Sequence, residues 1–286
     1  MILITGASGE LGKLTVQKLS AFIPTEDIAV LIREQTNSKN FSDLGLHVRI
    51  GDYNDYNSLI IAMKGIDTVL LISSNDILNR LKQHQNVIDA ARETSVQKIV
   101  FISGLLNNAE ESVLRRPMDA MFKTEDYIKE SGMKYIILRN TLYMENLAKY
   151  LGNSAIEKGI FFPAGKGKVA YAQREDLAEA TAKILISEKY NNQTFSLTGN
   201  QSYSFEDIAK ILCDLSGKDI TYYNPEPKIF LETLLKNGIP EQLANISLAF
   251  ATAIKNGDMD YIAPTLEELL GRKPKDVRNY LEKLFM

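Results

Sequence analysis

The chain has 286 residues, 45% of them apolar and 24% charged, a balance that supports a sizeable buried core without covalent staples. Lysine and arginine number 33 against 36 acids, and the net charge of −3 gives no footing to a nucleic-acid polymer or an anionic membrane as partner. The one cysteine, Cys213, excludes an intramolecular disulfide framework, and two histidines with one cysteine argue against a His/Cys metal site.

Residues 1–5 (MILIT) read as a strand rather than a signal peptide, and no apolar run reaches the roughly 20 residues of a membrane span. The expectation is a cytoplasmic protein. A helical face follows over 10–22, with Leu11, Leu14, Val16, Leu19 and Phe22. Strand patterns at 28–32, 48–50, 68–73 (TVLLIS), 98–103 (KIVFIS) and 135–139 (YIILR) alternate with helical patterns at 56–63, 80–93 and 118–130. Strands apolar on both faces and alternating with helices imply a parallel sheet covered on both sides, an α/β doubly wound Rossmann fold.

The second half is less regular. Residues 152–167 are rich in glycine, 174–187 and 204–216 read as helices, and 194–198 read as a strand. Pro225 and Pro227 mark a linker. Residues 229–254 form either a core helix pair or a partner surface, core being the favoured reading. Thr265-Leu266-Glu267-Glu268 is a capping-box pattern closed by Gly271, and Val277, Tyr280, Leu281 and Leu284 repeat at helical spacing. The expected organisation is an NAD(P)-binding domain over 1–150, with 172–199 returning to it. Residues 151–171 and 200–286 form a smaller, mostly helical substrate lobe.

Gly6-Ala7-Ser8-Gly9-Glu10-Leu11-Gly12 follows a strand and opens a helix. The first glycine permits the tight turn, the second lets backbone approach a pyrophosphate, and the third lets helix and strand pack closely. Open N–H groups at the helix start then meet the phosphate charge, which makes Gly6, Ser8, Gly9, Glu10, Leu11 and Gly12 the candidate dinucleotide cradle. Arg33 ends the second strand, where a guanidinium suits a ribose 2′-phosphate and favours NADP(H) over NAD(H). Against this, Arg33 can be a solvated surface residue, and Glu34 can pair with it or repel the phosphate. Asp52 ends the third strand, either at the adenine edge or as a turn-former in Gly-Asp-Tyr-Asn. Ser73, Ser74 and Asn75 end the fourth strand and Ser103 the fifth. Ligands of open α/β sheets bind outside the strands' carboxyl ends, so these are candidates for the nicotinamide ribose.

GASGELG, LLISSN, QHQNVIDAAR and YIILRNTLYMENL resemble the NmrA-like branch of the atypical short-chain dehydrogenases/reductases, and within it the bacterial NADPH-dependent quinone oxidoreductases. The resemblance runs from Met1 to the LLGRKP…LEKLF segment. It implies a two-lobed fold with cofactor on the N-terminal sheet and substrate between the lobes, and cofactor roles for Gly6, Gly9, Gly12 and Arg33. It also implies that the segment 140–146, from Asn140 through Tyr143 to Asn146, runs beside the nicotinamide.

The pattern departs from related enzymes in one respect. Short-chain dehydrogenases and sugar epimerases use a Tyr with a Lys four positions later as proton donor. None of the 13 tyrosines here has that lysine. Lys123 can hold the nicotinamide ribose or donate a proton, or it is a lysine on a solvated helix face. Asn140 can bond a quinone oxygen or cap the turn after its strand. Tyr143 and Phe162 are candidate walls for an acceptor, and both are also plausible core residues. His84 either bonds locally or reaches the cleft, and Cys213 reads as packing.

A quinone accepts hydride readily because its product is aromatic, and the phenolate formed is a weak base that solvent can protonate. Quinone reduction therefore needs no tuned acid, whereas alcohol oxidation and sugar epimerisation do. The reading is an NADPH-dependent oxidoreductase passing hydride to a quinone or similar small acceptor. The alternative is a non-catalytic NAD(P)-sensing regulator that contacts a protein partner, and a sugar-nucleotide epimerase-like enzyme ranks below both. A homodimer is compatible with the sequence but not specified by it.

Overall fold

The structure is a computed structural model and describes residues 1–34, 38–152 and 154–286. In chain order the elements begin β1 (Ile2–Ile4), α1 (Glu10–Leu19), β2 (Ile28–Ile32), α2 (Lys39–Ser42), β3 (His47–Ile50), α3 (Tyr56–Ala62), β4 (Thr68–Ile72), α4 (Arg80–Glu93), β5 (Lys98–Gly104), α5 (Arg115–Glu130) and β6 (Lys134–Asn140). They continue with α6 (Leu147–Leu151), α7 (Ala155–Lys158), β7 (Ile160–Phe161), β8 (Lys168–Val169), α8 (Arg174–Leu185), β9 (Gln193–Leu197), β10 (Tyr203–Ser204), α9 (Phe205–Ser216) and β11 (Tyr222–Tyr223). Last come α10 (Pro227–Lys236), α11 (Glu241–Lys255), α12 (Thr265–Leu270) and α13 (Val277–Phe285).

The main sheet has the order β3-β2-β1-β4-β5-β6-β9. β1 pairs in parallel with both β2 and β4, and the parallel pairing continues from β2 to β3 and through β5 to β6. Strand order therefore reverses at β1, and the crevice outside β1 and β4 is where such sheets bind ligands. Every residue of β2 is buried, as a strand covered on both faces requires. On one face Leu3, Leu71, Phe101 and Ile137 pack with Leu59 of α3, Val87 and Ile88 of α4 and Ile128 of α5.

The chain divides into two compact units. Unit 1 comprises Met1–Gly104, Pro117–Asn140 and Arg174–Ser196, and holds most of the main sheet. Unit 2 comprises Leu105–Arg116, Thr141–Gln173 and Leu197–Met286. In unit 2, Phe162 lies 4.6 Å from Phe205, 4.8 Å from Tyr150 and 5.7 Å from Phe230, between ring centroids. Phe162 is 1% exposed, so it belongs to this aromatic core rather than to an open wall.

Several local expectations are corrected. Pro227 is not in a linker; it is the first residue of α10, where its missing N–H has no helical partner to lose. Thr265 forms no capping box, because Pro264 holds the N-cap position and Thr265 already lies in the helix, although Gly271 closes that helix in the left-handed conformation. A true capping box stands at Ser204 and Asp207, opening α9. Residues 229–254 are only partly core: Phe230, Ala251 and Ile254 are buried, whereas Ile229, Leu235 and Leu243 are exposed. Among the described residues no helix is long and apolar enough to cross a membrane.

Candidate functional site

Gly6 has φ +61°, which the tight turn after β1 requires. A Cβ on Gly12 would stand 2.3 Å from the Gly6 carbonyl oxygen and 2.8 Å from Ala7 Cα, so only glycine lets α1 approach the strand this closely. Gly9 caps α1 with extended backbone, and its carbonyl accepts the Lys13 N–H at 2.9 Å. The N–H groups of Glu10, Leu11 and Gly12 precede that first helical bond and face out of the helix ladder. This is a cradle that side chains would fill, and it fits a pyrophosphate. Ser8 is exposed and, with Lys13, Gln17 and Phe41, lines a cavity of about 600 Å³ beside the loop. Glu10 is paired with Arg174 at 3.3 Å, which offsets a carboxylate next to the proposed phosphate seat.

Arg33 is exposed at the end of β2 and makes no ion pair among the described residues. Asp52 forms the turn that its sequence context suggests: its Oδ1 accepts the Asn54 N–H at 2.7 Å. The next residue, Tyr53, carries no sequence signal yet knits β1 to β4 directly beneath the loop. Its hydroxyl bonds Thr5 Oγ1 and donates to the Ile72 carbonyl at 3.1 Å. Thr5 in turn donates to the Leu70 carbonyl at 2.9 Å. Burial raises the Tyr53 pKa, so this hydroxyl stays protonated.

The turn after β4 is clamped from α4. Arg80 Nε donates to the Ser74 carbonyl at 2.7 Å, and His84 Nε2 accepts the Ser74 N–H at 3.0 Å. The Thr124 hydroxyl donates to the Ala120 carbonyl at 2.6 Å, so the 2.9 Å contact between His84 Nδ1 and Thr124 Oγ1 assigns the ring proton to Nδ1. Burial, reinforced by the Arg80 charge, pushes the His84 pKa down to about 3. His84 is thus a neutral, local ligand of the turn. Ser74 Oγ accepts the Asp76 N–H at 3.1 Å, and Asn75 is exposed. The Ser73 Oγ is buried and has no partner among the described residues.

Ser103 is engaged within the protein: it donates to Glu125 Oε1 at 2.6 Å, and Glu125 receives a forked pair of bonds from Arg139 at 2.9 and 2.6 Å. Arg139 and Asn140 are neighbours on β6, and Asn140 lies opposite Gly104 of β5. Both amide atoms of Asn140 are buried and, among the described residues, unpartnered. Buried amides are almost always bonded, and no described residue meets this need. Met118 and Met121 of α5 close over Gly104, where a Cβ would meet Met118 Cε at 2.4 Å. No spacing in the sequence announces that wall. Lys123 is well exposed on α5 and tied to Asp119 at 2.6 Å. Tyr143, in unit 2, bridges Ala172, and the next N–H, of Met144, donates to the Ala172 carbonyl at 2.9 Å. No His/Cys/Asp/Glu cluster suited to a metal ion occurs among the described residues.

A parallel sheet reversing at β1, with a glycine cradle at that strand's carboxyl end, defines a dinucleotide-binding α/β protein. The sequence profile of the NmrA-like family matches residues 1–281, and the chain belongs to that family. It is 33% identical to quinone oxidoreductase 2 of Escherichia coli, over 100% of this chain and 99% of that protein. The crystal structure of that enzyme with NADPH superposes with a TM-score of 0.93 and covers both chains fully. The triphenylmethane reductase of Citrobacter sp., solved with NADP(H), gives 32% identity and a TM-score of 0.93 over 100% of this chain and 99% of its own. An NAD(P)H azoreductase of Xenophilus azovorans is 25% identical over 99% of this chain and 96% of its own length.

Proposed function

We propose that this chain is an NADPH-dependent oxidoreductase that passes hydride to a quinone or a similar small conjugated acceptor. The observation that carries the reading is an intact dinucleotide cradle in a chain without the Tyr–Lys acid pair. Lys123, which pairs with Asp119 on α5, would hold the nicotinamide ribose or supply a proton. The relatives agree in kind, since quinones, azo compounds and triphenylmethane dyes are all conjugated electron acceptors.

Gly6, Ser8, Gly9, Glu10, Leu11 and Gly12 would hold the pyrophosphate, and Arg33 the 2′-phosphate. Asp52 would sit at the adenine edge. Ser73, Ser74 and Asn75 would line the nicotinamide ribose, with Asn140 and Tyr143 beside the reacting ring. Bound NADPH supplies the hydride. The chain's own contribution is to orient the acceptor and exclude water, because a phenolate product needs no strong acid.

The test is NADPH oxidation by the purified protein with a panel of simple quinones, monitored as loss of the dihydronicotinamide absorbance. Turnover that saturates in both substrates and collapses in Gly9→Leu supports the reductase. NADPH binding with no turnover on any quinone overturns it and favours the cofactor-sensing reading.

A further inference from the structure

The cavity of about 600 Å³ beside the glycine loop lies wholly within unit 1 and extends beyond what a dinucleotide cradle needs. Lys13, Val16 and Ser20 line it from α1. They stand three and four positions apart, so they share one face of that helix, and the stretch from Lys13 to Ser20 is about 10 Å long. Phe41 of α2 and Leu44 just after it supply apolar lining from the next helix in the chain. Val16 and Phe41 are buried, while Leu44 is exposed. Thr25, in the turn before β2, adds a hydroxyl.

The chemistry of the lining changes in order along α1. Lys13 follows the glycine loop directly. Its ammonium is exposed and makes no ion pair or hydrogen bond among the described residues. One helical turn on, Val16 and Phe41 are apolar. A further turn on, the Ser20 Oγ donates to the Val16 carbonyl at 2.9 Å, which uses its one proton and leaves its lone pairs free to accept. A cation, an apolar stretch and a hydrogen-bond acceptor in a row complement a molecule with an acid at one end, a flat apolar body and a hydroxyl at the other.

We propose that this cavity is a second ligand site that takes an aromatic carboxylate carrying a hydroxyl at its far end. The carboxylate pairs with Lys13, the rings lie on Val16 and Phe41, and the hydroxyl donates to Ser20 Oγ. The inference is independent of the oxidoreductase reading. Ser8 belongs to the glycine loop and also lines the cavity, so the site adjoins the cradle. An acid held there stands close to the phosphate charge of a bound dinucleotide, and each ligand weakens the other by the same factor.

The probe is 4′-hydroxybiphenyl-4-carboxylate, titrated calorimetrically into the full chain. One molecule should bind per chain. Lys13→Met keeps the apolar stem and the helix propensity and removes the charge; it should weaken binding about ten- to a hundredfold, the range for a bond to a charged group. Ser20→Ala should weaken it about two- to tenfold, the range for a neutral hydrogen bond, and leave NADPH binding unchanged. Biphenyl-4-carboxylate, which lacks the hydroxyl, should bind the parent as weakly as the hydroxy acid binds Ser20→Ala, and should not be affected by that substitution. Melting temperatures of both variants check that they fold. Saturating NADPH should weaken the probe severalfold and then have no further effect. No binding to the parent, binding that Lys13→Met leaves unaltered, or equal binding of the two acids overturns the proposal. Complete displacement by NADPH also overturns it, since the acid then occupies the cradle itself.

Discussion

At Arg33 a single guanidinium is expected to set cofactor choice. It is exposed and makes no ion pair among the described residues, so its charge is available to a 2′-phosphate. Arg33→Ala should weaken NADPH about tenfold or more and leave NADH nearly unchanged, as measured by titration calorimetry. His84 makes a different prediction. Its folded pKa is about 3, against roughly 6.5 in an unfolded chain. Between those values the unfolded chain binds a proton that the folded one refuses. The stability from a neutral His84 is therefore complete above about pH 6.5 and is lost as pH falls toward 3, by up to about 1.4 kcal/mol per pH unit. Urea unfolding across that window should show the slope, and His84→Gln should flatten it. The sequence makes His84 visible as a histidine on a helix. It does not show that the ring faces the Ser74 peptide, because that contact joins α4 to a turn at a distance set by packing.

The β5–α5–β6 unit turns on one buried carboxylate. Glu125 is 1% exposed and takes bonds from Ser103 and Arg139, which fixes the helix against the carboxyl ends of two strands. Removing one partner of a buried pair is strongly destabilising, since the other is left without compensation. Glu125→Gln should cost about 2–3 kcal/mol in urea unfolding, less than for a fully buried pair because solvent reaches the partly exposed Arg139. The strands and helices of this half were legible because burial on both faces leaves unbroken apolar runs and helices leave a 3.6-residue stripe. The two-residue strands β7, β8, β10 and β11 left no such trace. Neither did the role of Pro227, since a proline breaks or begins a helix according to the residues on either side of it.

For the molecule as a whole, cofactor binding and folding are linked. A ligand that binds only the folded chain stabilises it by RT ln(1 + [L]/Kd), about 2.7 kcal/mol at a hundredfold excess over Kd. NADPH should therefore raise the melting temperature in a concentration-dependent way, and Gly12→Ala, which drives a methyl into the Gly6 carbonyl, should abolish the rise. Chain spacing was enough to specify the doubly wound sheet, the glycine cradle and the missing Tyr–Lys pair. Each of these is written in local spacing, where neighbours in the chain are neighbours in space. Packing settled that Ser103 is held by Glu125, that Lys123 is tied to Asp119, and that Asn140 and Tyr171 carry buried polar atoms without partners among the described residues. Whether a polar atom is satisfied depends on residues far off in the chain, and spacing does not encode them.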